Sequence, residues 1–289
     1  MNETDRQRLA AARELLNPCR VCPRNCRVDR VRGEFGTCGI GDELVISSVG
    51  PHFGEEPQLV GRGGSGTIFL AGCNLLCVFC QNADISHGRR GTRAEPADVA
   101  RMMLMLARRG CENVNFVTPS HVMPRLLEAI LLARDEGLTV PVVWNCGGYE
   151  SVEALRLLEG QVEIYMPDAK FATADTARTL ADAPDYPEVM QAALREMHRQ
   201  VGDLVTTHGV ARRGLLVRHL VMPGLAHETR AILDFLADEI SPDTSVNVMG
   251  QYRPEYHASQ APAIDRYPTA DEIADARAYA SRRGLRLCE

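Results

Sequence analysis

Six short apolar runs, at residues 67–70, 114–117, 140–144, 162–166, 215–221 and 245–249, alternate with helical patterns at 97–109, 124–136, 152–158, 187–201 and 228–240. Consecutive parallel strands need a crossover of a dozen or more residues, usually a helix, and such crossovers are right-handed. The alternation therefore predicts one parallel sheet in an α/β fold. The runs are continuous, which suits strands covered on both faces by helices. A last helix is expected over 270–282, announced by Pro268 and the capping box Thr269-Ala270-Asp271-Glu272. From residue 67 onward the chain is shorter than the roughly 250 residues of an eight-unit barrel. A partial six-unit barrel fits that length, and periodicity alone equally permits an open doubly wound sheet.

Ahead of these units, residues 8–16 read as a short helix ended by Asn17-Pro18, and 43–49 as a strand. The glycine-rich stretch 61–66 lacks the Gly-Lys-Ser/Thr ending of a phosphate loop and reads as a flexible connection. The first buried run then delivers the loop Ala71-Gly72-Cys73-Asn74-Leu75-Leu76-Cys77-Val78-Phe79-Cys80-Gln81-Asn82. Three cysteines spaced C-x3-C-x2-C can wrap three irons of a cubane cluster, because thiolate is the soft ligand such clusters take. A fourth iron is left open to bind a small molecule and pass it one electron. Three structural cysteines or a zinc site are the alternatives, although zinc spacings usually come as two C-x2-C or His pairs.

A second group, Cys19, Cys22, Cys26 and Cys38, has the spacing C-x2-C-x3-C-x11-C. It can hold zinc or a second iron-sulfur cluster, with unligated thiols or a disulfide as alternatives. Seven of the ten cysteines fall before residue 81, which localises the metal chemistry. The expected division is a cysteine-rich N-terminal segment, 1–45, followed by the main α/β domain, 46–289.

The net charge of -6 and the absence of a Lys/Arg block argue against a nucleic-acid partner. Residues 1–8 are polar, without the apolar core of a signal peptide, and no run approaches the roughly 18 apolar residues needed to span a membrane. A cytoplasmic location without a membrane partner is expected, and there cysteines serve metals more often than disulfides.

Cys73, Cys77 and Cys80, with Phe79 directly before the third cysteine, resemble the cluster loop of radical S-adenosylmethionine (SAM) enzymes. The cysteine-rich leader, together with Thr118-Pro119 where that superfamily often carries a Gly-Gly-Glu-type motif, resembles one subgroup, proteins similar to pyruvate formate-lyase-activating enzyme. The resemblance runs from Cys19 to about Tyr252. It implies a partial (βα)6 TIM-type barrel with a small N-terminal cysteine-rich metal-binding segment. It also implies a [4Fe-4S] cluster, S-adenosyl-L-methionine as cofactor, and reductive cleavage of SAM to a 5'-deoxyadenosyl radical that abstracts a hydrogen atom.

Ligands of parallel α/β folds collect beyond the C-terminal ends of strands. Together with these strand ends, the resemblance implies as candidate SAM contacts Phe79, Thr118, Asn145, Asp168, Lys170 and Arg218, with His219 a weaker one. Four of them have a plainer alternative: a turn residue for Thr118 and Asn145, a surface ion pair for Asp168 and Lys170. Cys146 reads as a small buried hydrophobe before it reads as a hydrogen-atom donor, and His121 as a helix-entry residue before a base. No catalytic side chain beyond these is assigned. The expected activity is that of a glycyl-radical activating enzyme with a protein or peptide target, reduced by a flavodoxin or ferredoxin. The rivals are radical modification of a small molecule or peptide, and an iron-sulfur electron carrier without turnover.

Overall fold

All six apolar runs form strands, and all six lie parallel. The computed structural model describes residues 1–288. In chain order its elements are α1 (Glu3–Glu14), β1 (Leu44–His52), α2 (Pro57–Val60), β2 (Ser65–Leu70), α3 (Ala83–Ser86), β3 (Thr92–Ala94), α4 (Pro96–Arg108), β4 (Asn113–Val117), α5 (Met123–Asp135), β5 (Val142–Cys146), α6 (Val152–Leu157), β6 (Ile164–Pro167), α7 (Ala174–Ala181), α8 (Tyr186–Val201), β7 (Val205–Thr207), β8 (Val210–Leu220), α9 (Ala226–Phe235), β9 (Ser245–Met249), α10 (Ala270–Arg282) and β10 (Arg286–Leu287). The sheet runs β10-β9-β8-β6-β5-β4-β2-β1-β3, with β7 hairpinned onto β8. β1 is antiparallel to both β2 and β3. A doubly wound sheet reverses its order at a switch point. Here the parallel strands follow chain order without a reversal, so the open doubly wound alternative does not describe this sheet.

Register sorts the strand residues onto two faces. Ile68, Val114, Phe116, Trp144, Tyr165, Val217 and Val246 belong to the main core with the long helices. The other face carries Ser65, Thr67, Asn113 and Asn115, and a separate small apolar cluster of Val143, Ile164, Met166 and Leu216 closed by Leu59 of α2. The expectation of helices on both faces is therefore corrected: long helices cover one face, and α2 caps part of the other. A Ser65–Asn113 hydrogen bond (2.7 Å) and a bond from the Asn113 amide to the Leu59 carbonyl (2.8 Å) hold that cap.

The N-terminal residues Leu9, Leu15, Leu16, Val21 and Ile40 share the main core, so 1–45 pack as part of one body. The capping box forms as read, with the Glu272 N–H donating to Thr269 Oγ1 (3.1 Å) and the Thr269 N–H to Glu272 (2.8 Å). Helix 228–240 ends its α-helical part at Phe235 and finishes in a π-helical turn, Leu236–Ile240. Among the described residues no helix is long and apolar enough to cross a membrane.

Candidate active site

A cavity of about 530 Å³ opens at the C-terminal ends of the parallel strands. Cys73, Cys77 and Cys80 line it from the loop after β2, Thr118 from the end of β4, Asn145 from β5, Asp168 and Lys170 from the end of β6, and Arg218 from β8. Phe79 completes the set. All nine residues singled out for cluster and cofactor thus meet in one place, whereas Cys19, Cys22, Cys26 and Cys38 lie outside it.

The cluster loop is held from behind. Phe79 is buried, edge-on to Phe171 with ring centroids 6.1 Å apart and tilted against Tyr252 at 6.0 Å. Gly72 has φ +83°, and a Cβ there would stand 2.6 Å from Ile40 and 3.0 Å from the Cys38 carbonyl. Only glycine fits that turn. The Leu75 N–H donates to Cys73 Sγ (3.4 Å), and the Thr37 N–H donates to Cys26 Sγ (3.4 Å). Burial pushes the Cys77 thiol up to about 12 against the opposing pull of Lys170, and it raises Cys73 as well.

Among the described residues no three His, Cys, Asp or Glu side chains gather tightly enough to hold one metal ion. A cubane, however, takes one thiolate at each iron, so its ligands stand farther apart than those of a single ion. The donor set fits such a cluster: soft sulfur ligands, a backbone N–H aimed at one of them, a lysine beside two of the thiols, and a cavity against the loop. A bound metal supplies the charge that deprotonates such thiols.

Opposite the loop the cavity wall is ionic. Lys170 Nζ lies 2.5 Å from Asp168 Oδ2, both largely shielded from solvent, which places the pair in the wall and not on the outer surface. Burial works against the lysine's charge, but Asp168 and the neighbouring cysteines outweigh it and raise its pKa. Arg218 donates to Glu56 through Nε (2.7 Å) and Nη2 (2.6 Å), to Glu55, and to Asn145 Oδ1 (3.4 Å). Asn247, level with Arg218 on β9, donates to Glu56 (2.7 Å). Burial alone would raise the Glu56 pKa; Arg218 and Asn247 reverse it.

Thr118 has φ +60°, an outlier for a β-branched residue, and its N–H donates to the Asn145 carbonyl (2.9 Å). Strained backbone of this kind clusters at ligand sites. Sequence reasoning missed Glu55, Glu56 and Asn247. Two adjacent acids before Pro57 were the available signal, and nothing local distinguished them from a solvated turn.

Other candidates are used structurally. Cys146 is buried in the main core beside Glu150, although it also borders the cavity at the end of β5. His121 Nε2 donates to the Ala71 carbonyl (2.9 Å), and burial lowers its pKa to about 4. His219 bonds through both ring nitrogens, to the Ala169 carbonyl (2.7 Å) and to Thr229 Oγ1 (2.9 Å).

Known proteins resemble this chain at several levels. Uncharacterized protein MJ0674 of Methanocaldococcus jannaschii is 34% identical over 284 residues, covering 96% of this chain and 78% of that protein. Uncharacterized protein MJ0808 of the same organism is 24% identical over 302 residues, covering 93% of this chain and 79% of its own. The crystal structure of Streptococcus suis SuiB bound to S-adenosylmethionine aligns with a TM-score of 0.45 at 10% identity, over 76% of this chain and 45% of the SuiB chain. The model of the radical SAM superfamily matches residues 67–236, which include the cluster loop and the ends of β4, β5, β6 and β8. With that match spanning more than half of its length, this chain belongs to the radical SAM superfamily.

Proposed function

We propose that the protein binds a [4Fe-4S] cluster through Cys73, Cys77 and Cys80 and cleaves S-adenosylmethionine reductively at its open iron. The observation that carries this reading is the meeting of those thiols with five polar residues from four strand ends in one cavity. When bound, the cluster supplies the single electron that cleaves SAM to methionine and a 5'-deoxyadenosyl radical. The chain's own residues bind and orient. Asp168 receives the ligand's ammonium, Lys170 and Arg218 face its carboxylate, and Asn145 and Thr118 take its remaining polar groups. Phe79 walls the cluster side from solvent. The unreversed strand order supports the partial (βα)6 barrel.

Cys19, Cys22, Cys26 and Cys38 hold a second centre, iron-sulfur in preference to zinc, because no three of these thiols gather tightly enough for one ion. Its support is that each of the other three thiols lies close enough to raise the pKa of Cys22. The target is a protein or peptide, by analogy with glycyl-radical activating enzymes. Two exposed aromatics support it: Phe53, 64% exposed beside the lining residues His52 and Gly54, and Tyr256, 46% exposed on a recess that shares Cys80 with the cavity. A cytoplasmic flavodoxin or ferredoxin supplies the electron. Anaerobic incubation of the reconstituted protein with reductant and SAM is expected to release 5'-deoxyadenosine. A protein that carries its cluster yet yields none is an electron carrier, and the reading fails.

A further inference from the structure

One guanidinium ties the N-terminal cysteine segment to the cluster loop. Arg24 stands between Cys22 and Cys26, and its Nε donates to the Asn74 carbonyl (2.7 Å) while Nη2 donates to the Leu75 carbonyl (3.0 Å). The same group closes the C-terminal end of α7, through Nη2 to Ala181 (2.7 Å) and Nη1 to Asp182. It also lies 5.4 Å from the ring centre of Tyr149, whose carbonyl accepts from the Asn74 amide (2.7 Å). Four carbonyls from two separate segments use the fork of donors that only arginine offers.

At one end of this bridge Arg24 sits in the turn between Cys22 and Cys26, and at the other the N–H of Leu75 donates to Cys73 Sγ (3.4 Å). A second contact lies alongside. The Cys38 carbonyl sits against Gly72 so closely that a Cβ there would be 3.0 Å away, and it accepts from Arg89 Nε (3.2 Å), a residue beyond the loop. The two cysteine groups are back to back.

We propose that Arg24 is a positioning residue through which the N-terminal centre governs the cluster loop. Metal on Cys19, Cys22, Cys26 and Cys38 fixes the Cys22–Cys26 turn, the turn fixes the Arg24 guanidinium, and the guanidinium fixes the Asn74 and Leu75 peptides that cradle Cys73. This rests on the cluster assignment above and adds that emptying the second centre disturbs the first without touching its ligands.

The test compares reconstituted wild type, Arg24→Ala, Cys26→Ser and the double variant. The readouts are SAM affinity and the electron paramagnetic resonance signal of the reduced cluster that responds to SAM. Each single variant is expected to weaken SAM binding about tenfold and to alter that signal, and the double variant to be no worse than either, because the two act in one chain. Millimolar guanidinium ion should restore Arg24→Ala but not Cys26→Ser. Wild-type signal and affinity in Arg24→Ala, or additive losses in the double variant, overturn the proposal. Should Arg24→Ala not fold, Cys26→Ser decides alone, since unchanged SAM affinity in a protein lacking its second metal has the same force. A wild type without any SAM-responsive signal instead brings down the cluster assignment.

Discussion

Replacing Glu56 by Ala tests how the ionic wall of the cavity is built. The Glu56 side chain is 2% exposed and accepts from Arg218 Nε (2.7 Å), Arg218 Nη2 (2.6 Å) and Asn247 Nδ2 (2.7 Å). Removing one partner of a buried ion pair costs about 3–5 kcal/mol, because the other charge is left uncompensated. Glu55 remains on the same guanidinium, so the loss should sit near the low end, about 3 kcal/mol. At about 2 °C per kcal/mol for a chain of this size, the melting temperature should fall by about 6 °C. The sign with pH follows from the direction of the shift. The folded pKa of Glu56 lies below its ordinary value of 4.5, so its contribution is present above that value and is lost as pH falls through the folded pKa. Thermal unfolding of wild type and Glu56→Ala, in anaerobic buffers from neutral pH downward, reads both effects. A penalty under about 1 kcal/mol at neutral pH would place the pair with weak surface bridges and refute the argument.

Three further outcomes are expected. Replacing Cys73, Cys77 and Cys80 together by Ala should abolish cluster absorption and SAM cleavage while metal analysis still finds zinc or iron at the N-terminal cysteines; retained cleavage sinks the ligand assignment. Asp168→Ala should weaken SAM binding by roughly ten- to a hundredfold, the equivalent of one hydrogen bond to a charged group, with the cluster spectrum intact; unchanged affinity would leave the Asp168–Lys170 pair a purely structural one. Glu150 is buried and its pKa is raised from 4.5 to about 7, so wild type should lose about 3 kcal/mol relative to Glu150→Gln as pH rises from 4.5 through 7, while His121 cancels between the two. A constant difference in unfolding free energy across that range contradicts the buried-acid reading.

The alternating elements were legible because each βα unit carries its own period. Even so, β5 and β6 start two residues later than their apolar runs, at Val142 and Ile164. α7 went unread because Ala174-Asp175-Thr176-Ala177 is small and polar, and its only sequence mark is the Thr173 cap. The β7–β8 hairpin turns on His208 and Gly209, both at positive φ, a two-residue turn that Thr207-His208-Gly209-Val210 does not announce. At the site, the cysteine spacing and the strand ends pointed to residues that do meet. The partners of Arg218 were out of reach, since Glu55 and Glu56 lie more than 160 residues away in the chain.

Period two also decides which chemically suggestive residues are available. Asn145 and Arg218 line the cavity, while His219, the successor of Arg218, lies in the core and spends both ring nitrogens on Ala169 and Thr229, and Cys146, at the cavity's edge, is buried against Glu150. Burial also lowers the His219 pKa, and with both ring nitrogens already bonded the imidazole has no lone pair or N–H left for a ligand. Opposite the cluster loop stand fixed charge pairs, Asp168 with Lys170 and the two glutamates with Arg218. Carboxylates and cations that already satisfy one another are poor proton shuttles, because either proton transfer would strand a buried charge. They are well suited to holding an ammonium and a carboxylate at a fixed separation. The imidazoles of His52, beside Glu55, and of His87, against the Cys77 carbonyl, line the same cavity, so the charge pairs account for orienting a zwitterion while any proton transfer there would fall to those two rings.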